Sequence, residues 1–133
     1  MAQPSSGGKG CEAGCGTVYK VALQHDGKWK ETLIHTFGNG QNGGGPYGGV
    51  VMDKAGNLYG TAAGPGGALC GVIYKLAPAR KGKRKYSIVH TFGEGHDGCT
   101  VAGDLTIDSS GNLYGGTIAG GTYGYGVVFE FTP

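Results

Sequence analysis

The chain has 133 residues, a formal net charge of +2, and 31 glycines, about three times ordinary usage. That length suits one domain with a real core. The weak charge argues against a polyanionic partner such as nucleic acid, and the glycines lack the Gly-X-Y period of collagen. No apolar run approaches the roughly 18 residues a membrane helix needs, so no membrane span is expected.

The first residues, Met1 to Ser6, lack the apolar core of a signal peptide. Residues 1–15 are Gly-rich, and Cys15 aligns with Cys70, so this segment reads as the tail of a preceding repeat. From Gly16 onward the chain repeats itself. Gly16-Thr17-Val18-Tyr19-Lys20 returns as Gly71-Val72-Ile73-Tyr74-Lys75 and again as Gly126-Val127-Val128-Phe129-Glu130. His35-Thr36-Phe37-Gly38 returns as His90-Thr91-Phe92-Gly93. Aligned without a gap, 16–70 and 71–125 share 21 of 55 positions, more than chance gives. The organisation is therefore repeat 1 (16–70), repeat 2 (71–125), and 126–133 as the extra first strand of a third repeat.

Each unit holds four strand candidates and no sustained helical period. They fall at 17–23, 29–37, 48–53 and 57–63, then at 72–77, 85–92, 103–108 and 112–118, with a ninth at 127–132. The turn between the last two of each unit is the most distinctive stretch. Asp53-Lys54-Ala55-Gly56-Asn57-Leu58-Tyr59-Gly60 reappears as Asp108-Ser109-Ser110-Gly111-Asn112-Leu113-Tyr114-Gly115. Glycine supplies positive φ, and Asp and Asn bond the local backbone, which predicts a β-hairpin. Four antiparallel strands in such a unit match one β-propeller blade. The expected fold is all-β: antiparallel four-stranded repeats of propeller-blade type, two 55-residue repeats plus one extra strand.

Apolar-Asp-x-x-Gly-Asn-Leu-Tyr resembles the hairpin of NHL-type propeller blades, in which the apolar run is the innermost strand. Gly56 to Thr61, Gly16 to Lys20 and His35 to Gly38 more closely resemble the GloVer tandem repeats of bacterial surface proteins. The resemblance covers 16–133 and implies a propeller-like fold and an extracellular setting, secreted or at the cell surface. Gly116 departs from it, since the motif prefers Thr there. With 48–53 innermost, the frame shifts to an outer pair, one full blade (48–92) and three strands of the next. Two blades do not close a ring, and open edges are seldom left bare.

Cys11, Cys15, Cys70 and Cys99 lack a metal-type second pair, since Cys70 and Cys99 are 29 residues apart. In a four-stranded blade the loops holding Cys70 and Cys99 lie on one side of the sheet. Disulfides Cys70–Cys99 and Cys11–Cys15 are expected, as in an oxidising compartment. His35 and His90 share one strand position beside Phe and read as packed structural residues performing the same task. His96-Asp97, in a Gly-rich loop, is an acid–base pair or a polar turn tip. Asp53 and Asp108 offer one carboxylate each, short of what calcium requires, and suit an Asx turn without it. Neither a metal nor a cofactor is expected.

The basic run Arg80-Lys81-Gly82-Lys83-Arg84-Lys85 belongs to one hairpin only and reads as a solvated tip. Tyr47, Tyr123 and Tyr125 lie in Gly-rich loops expected on one face, and Trp29 starts a strand toward the opposite face. Exposed aromatics such as these stack on sugars and form interface centres. Tyr19, Tyr74 and Phe129, at one strand position, read as core, as do Tyr59 and Tyr114. No nucleophile–base constellation points to an enzyme. The sequence therefore supports a structural, self-assembling extracellular protein that forms a homo-oligomer or polymer through half-blade ends. The alternative is a carbohydrate-binding propeller module, with ligand residues Tyr47, Trp29, His96, Asp97, Tyr123 and Tyr125 and a glycan partner.

Overall fold

The computed structural model describes residues 2–3, 15–38, 44–64 and 70–133. Its strands are β1 (Ala2–Gln3), β2 (Thr17–Leu23), β3 (Trp29–Thr36), β4 (Val51–Met52), β5 (Leu58–Ala62), β6 (Val72–Pro78), β7 (Arg84–Thr91), β8 (Cys99–Ile107), β9 (Leu113–Ala119) and β10 (Val128–Phe131). They form three antiparallel sheets, ordered β1-β2-β3, β4-β5-β6-β7 and β10-β9-β8. The chain is thus all-β, but only the central sheet has the four strands expected of every unit. Sheets also cut across the sequence repeat: β4 and β5 come from the first unit, and β6 and β7 from the second.

Two strands, β4 and β8, differ by three or more residues in length from their expected ranges, for one reason. Val101 pairs with Thr117, and β8 therefore runs from Cys99, well before the expected 103. One repeat earlier the same place holds Pro46, which meets Ala62 only as an isolated bridge. Proline has no N–H to give the ladder, so β4 shrinks to Val51–Met52. The N-terminal segment also contributes pairing that its composition did not announce. Ala2 and Gln3 pair with Val18 and Thr17, the place that Thr61 and Ala62 take against Ile73 and Val72.

Two apolar clusters hold the sheets face to face. The first contains Val18 and Phe37 from the N-terminal sheet and Leu58, Tyr74 and Leu76 from the central one. The second contains Ile73 and Phe92 from the central sheet and Leu113 from the C-terminal one, with Phe129 and Phe131 packed on it. Each of these five residues of the second stands one repeat after its counterpart in the first. One interface is made twice. Its ends are less well covered, so Tyr19, Phe129 and Tyr114, expected as core, are only half-buried, whereas Tyr59 and Tyr74 are buried.

The glycine of each Leu-Tyr-Gly has a packing role. Gly60 pairs with Tyr74 and Gly115 with Phe129 across the ladder. A Cβ on Gly60 would sit 2.6 Å from Tyr74 Cζ, and one on Gly115 would sit 2.6 Å from Phe129 Cζ. Each aromatic ring lies down over the neighbouring strand's glycine, which covers backbone that a bare glycine would expose.

Candidate functional site

The paired Asp turns consume their own polar groups. Asp53 Oδ1 accepts from the backbone N–H of Ala55 at 3.0 Å and of Asn57 at 2.9 Å. Oδ2 accepts from Asn57 Nδ2 at 2.8 Å and from the Tyr59 hydroxyl at 3.3 Å. Asp108 repeats this with Ser110, Asn112 and Tyr114 at 2.9, 2.9, 2.9 and 3.0 Å. Gly56 and Gly111 close the turns at φ +84° and +90°. The Asn112 side-chain amide, then its backbone N–H and the other donors, hold the Asp108 carboxyl down at about 2. For Asp53, partial desolvation pushes upward, but the Asn57, Ala55 and Tyr59 bonds together outweigh it and the net shift is downward. With every carboxylate oxygen already accepting two bonds, the turns work as Asx turns. Among the described residues no group of three or more His, Cys, Asp or Glu is placed to hold a metal.

The repeated histidines differ in their surroundings, contrary to the expectation of one shared task. Both rings meet the following Phe edge-on, His35–Phe37 at 4.9 Å and His90–Phe92 at 4.5 Å. Over His35 lies Tyr86 of β7, stacked at 4.7 Å with an interplanar angle of 7°. Burial lowers the His35 pKa, and its Nε2 has no hydrogen-bond partner among the described residues. Among the described residues His90 has no such lid. Its Nε2 is 3.1 Å from Asp97 Oδ2, and Asp97 Oδ1 accepts from the Gly93 N–H at 3.1 Å. Of the two readings of His96-Asp97, the acid–base pair between these neighbours does not form: Asp97 turns back to the strand, and His96 is exposed.

The missing lid leaves a groove. Here β10 is the outermost strand of its sheet, whereas its counterpart β6 is flanked by β7. His90, Phe92, His96, Asp97 and the run Val127 to Phe131 enclose about 360 Å³ along that edge. A second hollow of about 320 Å³, lined by Ile88 to Thr91, Glu94 and Asp97, adjoins it at His90.

The model of the Gloeobacter/Verrucomicrobia repeat matches residues 5–133. The chain belongs to this repeat family. No curated protein and no solved structure matches it at a significant level.

In this Gloeobacter/Verrucomicrobia repeat protein the other expected site residues sit on different elements: Trp29 starts β3, Tyr47 precedes β4, and Tyr123 and Tyr125 follow β9. Tyr123 and Tyr125 are 86% and 90% exposed in the β9–β10 loop, and Tyr47 and Trp29 are also exposed. No ring stacking joins any two of these four among the described residues. Tyr47 packs beside Gly71, where a Cβ would lie 3.5 Å from its ring. The basic run forms a hairpin tip around the turn Arg80–Gly82, with Lys81 at φ +61°. Arg84, however, is tied down: its guanidinium donates to the carbonyls of Gly56 at 2.6 Å and Leu76 at 3.1 Å.

Cys70 and Cys99 form the expected disulfide, linking the turn before β6 to the start of β8. Cys15 is buried and disulfide-bonded, and Cys11, its expected partner, lies outside the described residues. Among the described residues no helix is long and apolar enough to cross a membrane. The His90–Asp97 pair was missed from sequence because its members are seven positions apart. The signal was the repeat itself: Asp97 takes the place of Asn42, as a carboxylate facing a repeated histidine.

Proposed function

We propose that this protein is a structural, self-assembling extracellular repeat protein whose end sheets mate with those of other copies in a ring or fibre. In this reading the sheets are blades of propeller type. The observation that carries it is Val128. Val18 and Ile73 occupy the same repeat position and are 0% exposed inside the two internal interfaces, whereas Val128 is 90% exposed. At the other end, Val21 and Leu33 are exposed where their counterparts Leu76 and Ile88 are buried and half-buried. The two end faces are complementary halves of an interface the chain already makes twice. Burying each such side chain contributes about 1.5–3 kcal/mol, and exposed apolar patches of this kind mark interaction surfaces. The Cys70–Cys99 disulfide suits an oxidising, extracellular setting.

Light scattering on a sizing column, with electron microscopy of the excluded fraction, tests this reading. Discrete multiples of 13.5 kDa, or fibres, are expected. Val128→Glu, at an exposed position, should return the protein to single copies. A wild-type protein that stays monomeric at every concentration would overturn the proposal.

Sugar binding is the second reading, favoured by the near-complete exposure of Tyr123 and Tyr125. Rigid amphipathic rings bind at low entropic cost. A glycan array comparing wild type with Tyr123→Ala and Tyr125→Ala checks it, and equal signals from all three would refute it.

A further inference from the structure

We infer that the groove along the open edge of β10 is a strand-acceptor site, taking an extended peptide segment with an aromatic residue for the His90 ring. The template for the occupant lies one repeat earlier. There the equivalent edge, β6, is paired with β7 in the register Leu76↔Tyr86, Lys75↔Ser87 and Tyr74↔Ile88. Tyr86 stacks on His35, and Ile88 packs on the same apolar cluster. In the C-terminal sheet every acceptor element has a counterpart: Phe131 for Leu76, Glu130 for Lys75, Phe129 for Tyr74 and His90 for His35. Only the strand itself has none among the described residues.

Recognition divides into three parts. The unpaired edge of β10 supplies main-chain hydrogen bonds, as in β-strand addition generally. His90 and Phe131, with ring centroids 5.7 Å apart, form the floor on which an aromatic side chain lies. Charge then separates this site from its template. Glu130 stands where β6 has Lys75, so the residue opposite it should be a cation where β7 has Ser87. The preferred occupant is therefore an extended aromatic–cation–aliphatic segment. The site shares β10 with the Val128 face but is defined by the strand's open edge and the His90 ring, and its test, run on monomeric protein, does not depend on self-association.

The probe is a synthetic peptide copying residues 83–92, which spans β7, together with its Ser87→Lys form. Calorimetry gives affinity, and amide NMR of the full chain at a concentration where it is monomeric gives location. Saturable binding is expected, with shifts concentrated at Val128 to Phe131 and His90. The Ser87→Lys peptide should bind more tightly, and this gain should disappear in the Glu130→Lys protein. A Tyr86→Ala peptide should lose about tenfold in affinity. Failure of both peptides to bind, shifts lying elsewhere, or equal affinity for the Tyr86→Ala peptide would each overturn the assignment. Protein that stays monomeric at every concentration yet binds the peptide would refute self-assembly and leave the acceptor site standing.

Discussion

The Gly49 amide donates to Asp104 Oδ1 at 2.6 Å, and these two residues are the same position in consecutive repeats. The bond ties the segment before β4 to β8, across neighbouring sheets. A carboxylate acceptor makes such a bond stronger than a neutral one. Asp104→Ala is expected to lower stability by about 1 kcal/mol, and Asp104→Asn by less. Urea unfolding midpoints measure both, and an unchanged midpoint for Asp104→Ala would show the bond to be idle.

The two small residues of the second Leu-Tyr-Gly-Gly stretch should behave oppositely. Gly115→Ala, like Gly60→Ala, drives a methyl into an aromatic ring and is expected to cost about 1–3 kcal/mol. A Cβ on Gly116 finds only the Val127 carbonyl oxygen, at 3.7 Å, and its φ is ordinary. Gly116→Ala should be neutral or stabilise by up to about 1 kcal/mol through the unfolded chain. Thermal melts of the three variants decide it; equal losses at 115 and 116 would remove the ring-over-glycine explanation.

Acid should destabilise the fold in two stages. His35 has a lowered pKa through burial, so it is kept neutral in the fold while the unfolded chain takes up a proton near pH 6.5. Its contribution is complete above that pH and declines below it. Asp53 and Asp108 have depressed pKa values, so their contribution is complete above about pH 4 and fades as pH falls, for Asp108 towards about 2. Denaturant midpoints at pH 7, 5 and 3 should fall twice. Asp108→Asn should diminish the second fall alone, and an undiminished fall would contradict the Asx-turn argument.

Reduction should be costly. The Cys70–Cys99 bridge closes a loop with a sequence separation of 29. Chain-entropy arguments give about 3–4 kcal/mol for a loop of that size. The Cys70→Ala, Cys99→Ala double variant should melt well below wild type under oxidising conditions. The same melting temperature in both would mean the link constrains nothing that the sheets do not already fix.

Much of the fold was written locally. Asp53 to Gly60 and its copy announce hairpins because every donor and acceptor of the turn lies within seven residues. The Cys70–Cys99 link followed from strand order. Other features depended on partners from distant sequence. Gly60 looks like a flexible spacer until Tyr74 is laid across it. The short β4 depends on Pro46 facing Ala62. Tyr19 and Tyr74 are identical as letters, yet only the latter lies between two covering sheets. The candidate site was the least legible part: a groove defined by an uncovered strand edge leaves no motif, and only comparing His90 with His35 reveals it.

Because sheets and sequence units are out of phase while the two internal interfaces use corresponding repeat positions, this architecture tolerates change in copy number. Gain or loss of one 55-residue unit by unequal recombination, wherever the crossover falls, rejoins strands that already fit one another. The array lengthens or shortens by one interface and no core is cut. Length can therefore vary between descendants of one gene while the two end surfaces, and whatever binds them, stay the same.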